Sequence, residues 1–330
     1  METEKPGAWP ITLEDVLRAR RRIQDYLRPT PLRRYAALDD AVGNGISVYV
    51  KHENHNPTNS FKVRNALSMM TAMPEDPRSR GVVAATRGNH GLGVAYSGSL
   101  LGVPVTICVP LGNNPEKNEG MRGLGADLVE RGKDYDESLE VALALMRERG
   151  LTMVHSTNDR DVIAGAATAT WEILEERPDI EAMVVSVGGG SQAVGAMTVA
   201  RALRPGLPVY AVQARRAPAA HDSWKAGSRV ARESADTFAD GLATRNTYDM
   251  TFPALLEGLA GFVLVSEGEM AEAVRVLLRT THNLAEGAGA AGLAGLMKLR
   301  EELAGRKVGI LLSGGNIDGE TLRRVVSGEL

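Results

Sequence analysis

The chain has 330 residues, 43% of them hydrophobic and 24% charged, which suits one large or two smaller α/β domains and excludes a disordered chain. Its 38 basic and 41 acidic residues nearly balance, so the charge gives no electrostatic footprint for nucleic acid or for an anionic membrane. The single cysteine, Cys108, excludes an intrachain disulfide and a cysteine-rich metal site, and it is typical of a soluble protein in a reducing cytoplasm.

The first ten residues are polar and acidic, so no signal peptide is predicted. After them, short β-branched stretches alternate with longer amphipathic ones. The predicted strands cover 47–51, 81–86, 104–110, 126–132, 152–156, 182–190, 208–214, 262–266 and 307–315. The predicted helices that separate them include 62–73, 90–101, 116–125, 136–150 and 159–177.

Strands that are apolar almost throughout and alternate with helices predict mostly parallel sheets covered on both faces. Nine strands are many for one sheet, so two α/β layers are expected. The segments 73–81 and 215–236 are polar and weakly periodic, which suggests surface, lid or subunit contact. Two long uncharged stretches, 88–115 and 182–200, contain glycine or proline breaks and do not predict membrane spans.

Lys62 opens a predicted helix after a turn-rich stretch that follows a strand. A lysine at this end faces the positive pole of the helix dipole, which disfavours its charged form. A neutral amine is what imine formation with an aldehyde requires. By itself the residue is more simply explained as a solvated lysine of a first helical turn, because surface lysines are far commoner than reactive ones.

Three further segments place polar groups where a strand gives way to a helix. Residues 86–91 combine small and polar side chains at a helix start, which suits a carboxylate, although an N-cap and a glycine turn would look the same. Residues 186–192 carry three glycines and a serine, which let backbone N–H groups approach a phosphate. Ser313 ends the last strand, and its hydroxyl can donate to a ring nitrogen without adding a charge.

Together these signals fit one molecule, pyridoxal 5′-phosphate (PLP). A lysine suits its aldehyde, a glycine loop its phosphate and a serine its ring nitrogen, and an anion pocket suits the carboxylate of an amino-acid substrate. The glycine segment is neither a dinucleotide fingerprint nor a Walker A motif, which argues against a nicotinamide oxidoreductase.

In this motif order the chain resembles the threonine dehydratase and serine racemase group of fold-type II PLP enzymes, from Arg28 to Asp318. The resemblance implies a two-domain α/β fold like that of the tryptophan synthase β subunit, each domain an open, mostly parallel sheet flanked by helices. A large PLP-binding domain would comprise 1–73 and 159–330, and a small mobile domain would comprise 74–158. It also implies a homodimer.

The resemblance further implies the roles of individual residues. Lys62 would form the Schiff base and act as the catalytic residue. The cofactor-binding residues would be Phe61, Lys62, Asn89, Gly188, Gly189, Gly190, Ser191, Gln192, Gly241, Glu286 and Ser313. The substrate-binding residues would be Ser60, Thr86, Arg87, Gly88, Asn89 and His90.

Two departures from the family pattern bear on function. Arg87 replaces a residue that is a serine in the racemases, and a guanidinium essentially never gives up its proton, so racemisation is disfavoured. Arg87 would instead bind the leaving hydroxyl or an acidic substrate group, or form a salt bridge at the domain edge. Gln213 and Ala219 stand at the acidic positions of the family's divalent-cation site, so no metal is expected.

The resemblance implies β-elimination from a β-hydroxy-α-amino acid such as L-threonine or L-serine, giving a 2-oxo acid and ammonia. Lys62 would be the base, and the PLP phosphate is the family's candidate acid for the departing hydroxyl. The alternatives are β-replacement or racemisation on the same scaffold, and a non-enzymatic protein that binds a phosphate ligand. The sequence does not choose the substrate.

Overall fold

The computed structural model describes residues 9–330. The prediction that there is no signal peptide was made from the first ten residues, most of which lie outside the described residues. Ten strands lie in the described chain: β1 Leu32–Arg34, β2 Ser47–His52, β3 Val82–Ala85, β4 Val105–Val109, β5 Asp127–Glu130, β6 Thr152–Met153, β7 Ala182–Ser186, β8 Val209–Ala214, β9 Gly261–Val265 and β10 Lys307–Leu312.

The first seven α-helices are α1 Leu13–Ile23, α2 Ala36–Val42, α3 Lys62–Ala72, α4 Glu75–Arg80, α5 Asn89–Leu101, α6 Pro115–Gly123 and α7 Tyr135–Arg149. The remaining seven are α8 Arg160–Glu176, α9 Ser191–Leu203, α10 Ala219–Ala226, α11 Phe252–Gly258, α12 Glu267–Thr281, α13 Gly287–Lys298 and α14 Gly319–Val326. Two short 3₁₀ helices cover Glu53–His55 and Asp240–Leu242. None of the helices in residues 9–330 has the length and apolar character that a membrane crossing needs.

The strands form two sheets, as the strand count predicts. The larger sheet has the order β1-β2-β10-β7-β8-β9, in which only β1 is antiparallel to its neighbour. The smaller sheet has the order β5-β4-β3-β6 and is parallel throughout. The central strands β7, β8 and β4 are buried at every residue, because helices cover both faces of each sheet.

All nine predicted strands are present, although the strand predicted at 152–156 is only Thr152–Met153. The strand β1 was not predicted, because it has three residues, two of them exposed arginines. The segments 73–81 and 215–236 are not wholly irregular, since they contain α4 and α10.

Helix α3 lies between the two sheets and carries Lys62 as its first residue. Its Ala66 and Met70 pack into the core of the smaller sheet. Its Val63 and Leu67 pack against Ile23 of α1. The helix therefore holds Lys62 at the junction of the sheets, while the boundary of the expected domains at residue 73 stays a prediction.

Candidate active site

An open cavity of about 920 Å³ lies where strands of both sheets end. Its lining includes Ser186 and Ser313 after strands of the larger sheet and Ala85 at the end of β3 in the smaller one. Carboxyl ends of parallel strands are where α/β folds bind ligands. The structure brings nearly all predicted site residues to this cavity: Phe61, Lys62, Thr86, Arg87, Gly88, Asn89, His90, Gly188, Gly189, Gly190, Ser191, Gln192, Gly241, Glu286 and Ser313.

Lys62 directs its amine toward the loop that follows β6. Its Nζ donates a hydrogen bond to the main-chain oxygen of Ser156 at 2.8 Å. Burial lowers the pKa of Lys62 to about 8, although the side chain keeps some exposure to the cavity. Burial causes this shift, and not the helix dipole considered from the sequence. Roughly one tenth of the amine is therefore neutral at pH 7, far more than for an ordinary lysine.

The two residues before Lys62 have different places. Phe61 lines the cavity, with its ring centroid 5.2 Å from Lys62 Nζ. Ser60 is buried behind the cavity wall, where it forms an isolated bridge with Gly314. Its hydroxyl accepts the N–H of Lys62 at 3.2 Å. Ser60 therefore shapes the start of α3, and its predicted contact with substrate stays a prediction.

The segment 86–90 forms the turn between β3 and α5. The Thr86 hydroxyl oxygen accepts the N–H of Gly88 at 2.9 Å and that of Gly91 at 3.3 Å, which fixes the turn. The N-cap residue Gly88 has no side chain, so no side chain bonds the N–H groups of Asn89 and His90, which suits an anion. His90 donates from Nε2 to the Val154 oxygen at 2.8 Å, and burial together with the charge of Lys62 lowers its pKa to about 3. His90 is therefore neutral at pH 7.

The glycine segment leads from β7 into α9 and leaves the first turn of that helix without a side-chain cap. The absence of side chains is required here, because a Cβ on Gly188 would lie 2.3 Å from the Gly241 oxygen and one on Gly189 would lie 2.3 Å from Thr157 Oγ1. Gln192 Nε2 is buried and has no partner among the described residues. Backbone N–H groups, a helix N-terminus and an unpaired amide donor together suit a phosphate.

The opposite part of the cavity carries Ser313, Glu286 and Asn89. The Ser313 hydroxyl donates to the Ala288 oxygen at 3.3 Å, a long contact that a better acceptor can replace. Asn89 Nδ2 donates to Glu286, and Asn89 Oδ1 accepts from Asn316 at 2.8 Å. Burial raises the pKa of Glu286, although the positive charge of Lys117 acts in the opposite direction. The neutral form of Glu286 is therefore more populated than that of a free glutamate.

Arg87 projects into the cavity and pairs loosely with Asp240. The two side chains approach to 3.5 Å, and 40% of the Arg87 side chain stays exposed. Asp240 has a second and closer partner, the buried Lys117, at 2.9 Å. The salt bridge considered from the sequence is thus present, yet Arg87 keeps donors that face the cavity.

Several lining residues were not predicted as site residues: Lys117, Tyr135, Ser156, Thr157, Thr244 and Tyr248. A usable signal existed for some of them, because Lys117, Tyr135 and Ser156 follow β4, β5 and β6, whose carboxyl ends meet at one edge of a parallel sheet. Thr244 and Tyr248 lie in a loop outside any strand, where the sequence contains no comparable signal. Gln213, which stands at an acidic position of the family's divalent-cation site, is buried and accepts the N–H of His221 at 3.0 Å.

The residues present fit PLP. The cavity offers a partly neutral amine for its aldehyde, uncapped N–H groups and the unpaired Gln192 amide for its phosphate, and the Ser313 hydroxyl for its ring nitrogen. These groups belong to one continuous cavity, which is the arrangement that a single small cofactor requires.

Comparisons with known proteins agree with this fit. Residues 23–314 match the family model described as pyridoxal-phosphate dependent enzyme. The L-threonine ammonia-lyase of Thermotoga maritima is 37% identical over 96% of this chain and 78% of its own length. The L-threo-3-hydroxyaspartate ammonia-lyase of Saccharomyces cerevisiae is 32% identical over 96% of this chain and 97% of its own. The structure of maize serine racemase superposes with a TM-score of 0.91 at 26% identity, over 97% of this chain and 98% of that one.

Fold and cavity together define a two-sheet α/β enzyme of fold-type II that uses PLP. The chain belongs to the pyridoxal-phosphate dependent enzyme family.

Proposed function

We propose that this chain is an ammonia-lyase that eliminates water from a β-hydroxy-α-amino acid such as L-threonine or L-serine and releases a 2-oxo acid and ammonia. One observation carries the proposal: the Lys62 amine, with a pKa of about 8, lies in the same cavity as a phosphate-binding glycine loop and an uncapped helix terminus for a carboxylate. The names of the relatives from Thermotoga maritima and Saccharomyces cerevisiae support the reaction class.

Bound PLP supplies the electron sink for the pair of electrons left when the α-proton departs. Residues of this chain bind and orient the substrate and move its α-proton. The turn at 86–90 holds the substrate carboxylate with the N–H groups of α5 and orients the α-carbon toward Lys62. Lys62, as a neutral amine, removes the α-proton and keeps it at Nζ. Ser313 offers a neutral hydroxyl at the ring nitrogen, which limits charge withdrawal and favours loss of the β-substituent.

The test of this proposal is Lys62→Ala, assayed for 2-oxo acid release from L-threonine and L-serine. We expect loss of activity, because no other lining amine is as free: Lys117 is held by Asp240. Lys225→Ala, on the exposed end of α10, is the matched control and should keep wild-type rates. Undiminished release by the Lys62 variant would exclude the proposal.

The same assay separates the other PLP reactions. β-Replacement would consume an added thiol and yield a thioether amino acid, and racemisation would change the chirality of recovered serine. We expect neither to exceed 2-oxo acid release, because Arg87 stands where an acid for the second face would be needed and does not give up its proton. A purified protein that binds PLP but converts no amino acid would favour the non-enzymatic alternative.

A second candidate substrate is L-threo-3-hydroxyaspartate, because two cationic side chains, Arg87 and Lys117, line the cavity. Asp240 forms ion pairs with both cations, so an acidic β-group of the substrate would have to compete with Asp240 for them. If the acidic substrate is preferred, Arg87→Ala should lower kcat/KM for hydroxyaspartate more than for threonine. An equal effect on both substrates would assign Arg87 to the α-carboxylate or to structure.

Three further predictions, on domain division, oligomeric state and location, complete the proposal. The division into a large domain of 1–73 and 159–330 and a small domain of 74–158 rests on the two sheets and on the family resemblance. A homodimer rests on the resemblance alone. A cytoplasmic location is supported by Cys108, a free and buried thiol.

A further inference from the structure

Tyr135 and Tyr248 meet at the cavity from opposite sides. Tyr135 is the first residue of α7, which packs on the smaller sheet, and Tyr248 lies in the loop between the 3₁₀ helix Asp240–Leu242 and α11. Both side chains line the cavity and are partly buried. Next to them, Arg245 donates to Asp136 at 2.6 Å and so ties the loop to the start of α7.

The Tyr135 hydroxyl lies beside the residue that holds the catalytic amine. It is 3.4 Å from the Ser156 hydroxyl, and the main-chain oxygen of the same Ser156 accepts from Lys62 Nζ at 2.8 Å. The β-oxygen of a substrate is only two bonds from the α-carbon whose proton Lys62 removes. A β-hydroxyl must therefore lie near Lys62, within the part of the cavity that Tyr135 and Ser156 border.

The proton of Tyr135 is available to a substrate oxygen. Its hydroxyl lies 3.4 Å from that of Ser156, a long contact in which either oxygen can donate. Tyr135 can therefore turn its proton toward a better acceptor in the cavity. Burial raises the pKa of Tyr135 overall, so the group is a neutral donor across the physiological range.

Tyr135 is distinguished from the other donors of the cavity by its place beside Ser156. Arg87 and Lys117 are cations that pair with Asp240. His155 accepts through Nδ1 from the N–H groups of Thr157 and Asn158, at 3.0 and 2.8 Å, which leaves its proton at Nε2.

We propose that Tyr135 binds the β-hydroxyl of the substrate and donates a hydrogen bond to that oxygen as the Cβ–O bond breaks. The assignment rests on the proposed elimination reaction and adds a leaving-group donor that is supplied by the protein. Negative charge builds on the departing oxygen, and a positioned donor is worth most where charge develops.

The test compares two leaving groups in Tyr135→Phe. L-Serine loses hydroxide, which needs a donor, whereas 3-chloro-L-alanine loses chloride, which does not. We expect kcat/KM for serine to fall by about 100-fold, the usual effect of removing one donor to a developing oxyanion, and kcat/KM for chloroalanine to change by less than about threefold.

Tyr210→Phe is the matched control, because its hydroxyl donates to Glu302 at 2.6 Å outside the cavity lining. It should treat both substrates as the wild type does. Equal losses on both substrates in Tyr135→Phe, or no loss on either, would overturn the assignment while leaving the lyase intact. A wild-type protein that converts chloroalanine but neither serine nor threonine would overturn the proposed function, and the role of Tyr135 with it.

Discussion

Lys62 and Ser156 join helix α3 to the edge of the smaller sheet through one hydrogen bond, from Lys62 Nζ to the main-chain oxygen at 2.8 Å. The bond places an amine with a lowered pKa at the junction of the two sheets. Only the neutral form attacks an aldehyde, so the state of this nitrogen controls how fast the protein takes up PLP.

We therefore predict how PLP uptake depends on pH. Burial lowers the pKa of Lys62 to about 8, so its neutral fraction rises as pH rises through that value. The rate at which the apoprotein forms the coloured PLP adduct should increase about tenfold from pH 7 to pH 9 and then level off. Stopped-flow absorbance measures this rate.

The control reaction is PLP with Nα-acetyl-lysine, whose amine has an ordinary pKa near 10.4. Its rate should keep rising through pH 9, and the titration of PLP itself affects both reactions alike. A protein rate that rises with the same slope as the control up to pH 10 would contradict a lowered pKa at Lys62.

The glycine loop supports a second prediction, which concerns cofactor affinity. Gly189→Ala would place a Cβ 2.3 Å from Thr157 Oγ1, in the wall of the predicted phosphate site. Overpacking of this kind costs about 1–3 kcal/mol, so we expect the Kd for PLP to rise about ten- to hundredfold. Equilibrium titration of the apoprotein, followed by PLP absorbance, gives the value.

Gly268→Ala is the control for that variant, because a Cβ at this position in α12 meets no atom within 4 Å. It should bind PLP as tightly as the wild type. If Gly189→Ala also binds normally, the space at the loop is not needed for the cofactor.

The sequence was sufficient for part of the site, at residues that come directly after a buried parallel strand. Ser313 follows β10 and the glycine loop follows β7, and both line the cavity. Such residues can be predicted because hydrophobic strands are easily identified and their carboxyl ends share one edge. The start of α3 at Lys62 was predicted for a similar reason, since a turn-rich stretch precedes a helical pattern.

The remaining features depend on long-range packing, which local patterns do not encode. Tyr248 lines the cavity from a loop that Arg245 ties to Asp136, and those two residues are 109 positions apart in the chain. The lowered pKa of Lys62 arises from burial between the sheets rather than from its own helix. The partners of Arg64 were likewise invisible in the sequence, because they come from three separate segments.

Those partners lead to a prediction about stability. Arg64 is buried two residues after Lys62, and its guanidinium contacts two carboxylates, Glu53 at 2.7 Å and Glu172 at 2.6 Å. Lys51 adds a second buried cation, 2.7 Å from Glu172. Removing one member leaves an uncompensated buried charge, so Arg64→Met should lower the free energy of unfolding by about 3–5 kcal/mol at pH 7. Urea unfolding of the holoenzyme measures the change.

The pH dependence of this loss has a definite sign. Burial alone would raise the pKa of Glu53, but the charge and hydrogen bonds of Arg64 outweigh burial and hold that pKa below its usual range. Stability from this pairing is present above the ordinary pKa of a glutamate, about 4.3, and is lost as pH falls through the lower folded value. The gap between wild type and Arg64→Met should therefore narrow as the pH falls below about 4. Arg323→Met, which removes exposed pairs with Glu320 and Glu329, should leave the urea midpoint almost unchanged. A comparable loss of stability at both sites would contradict a special role for the buried cluster.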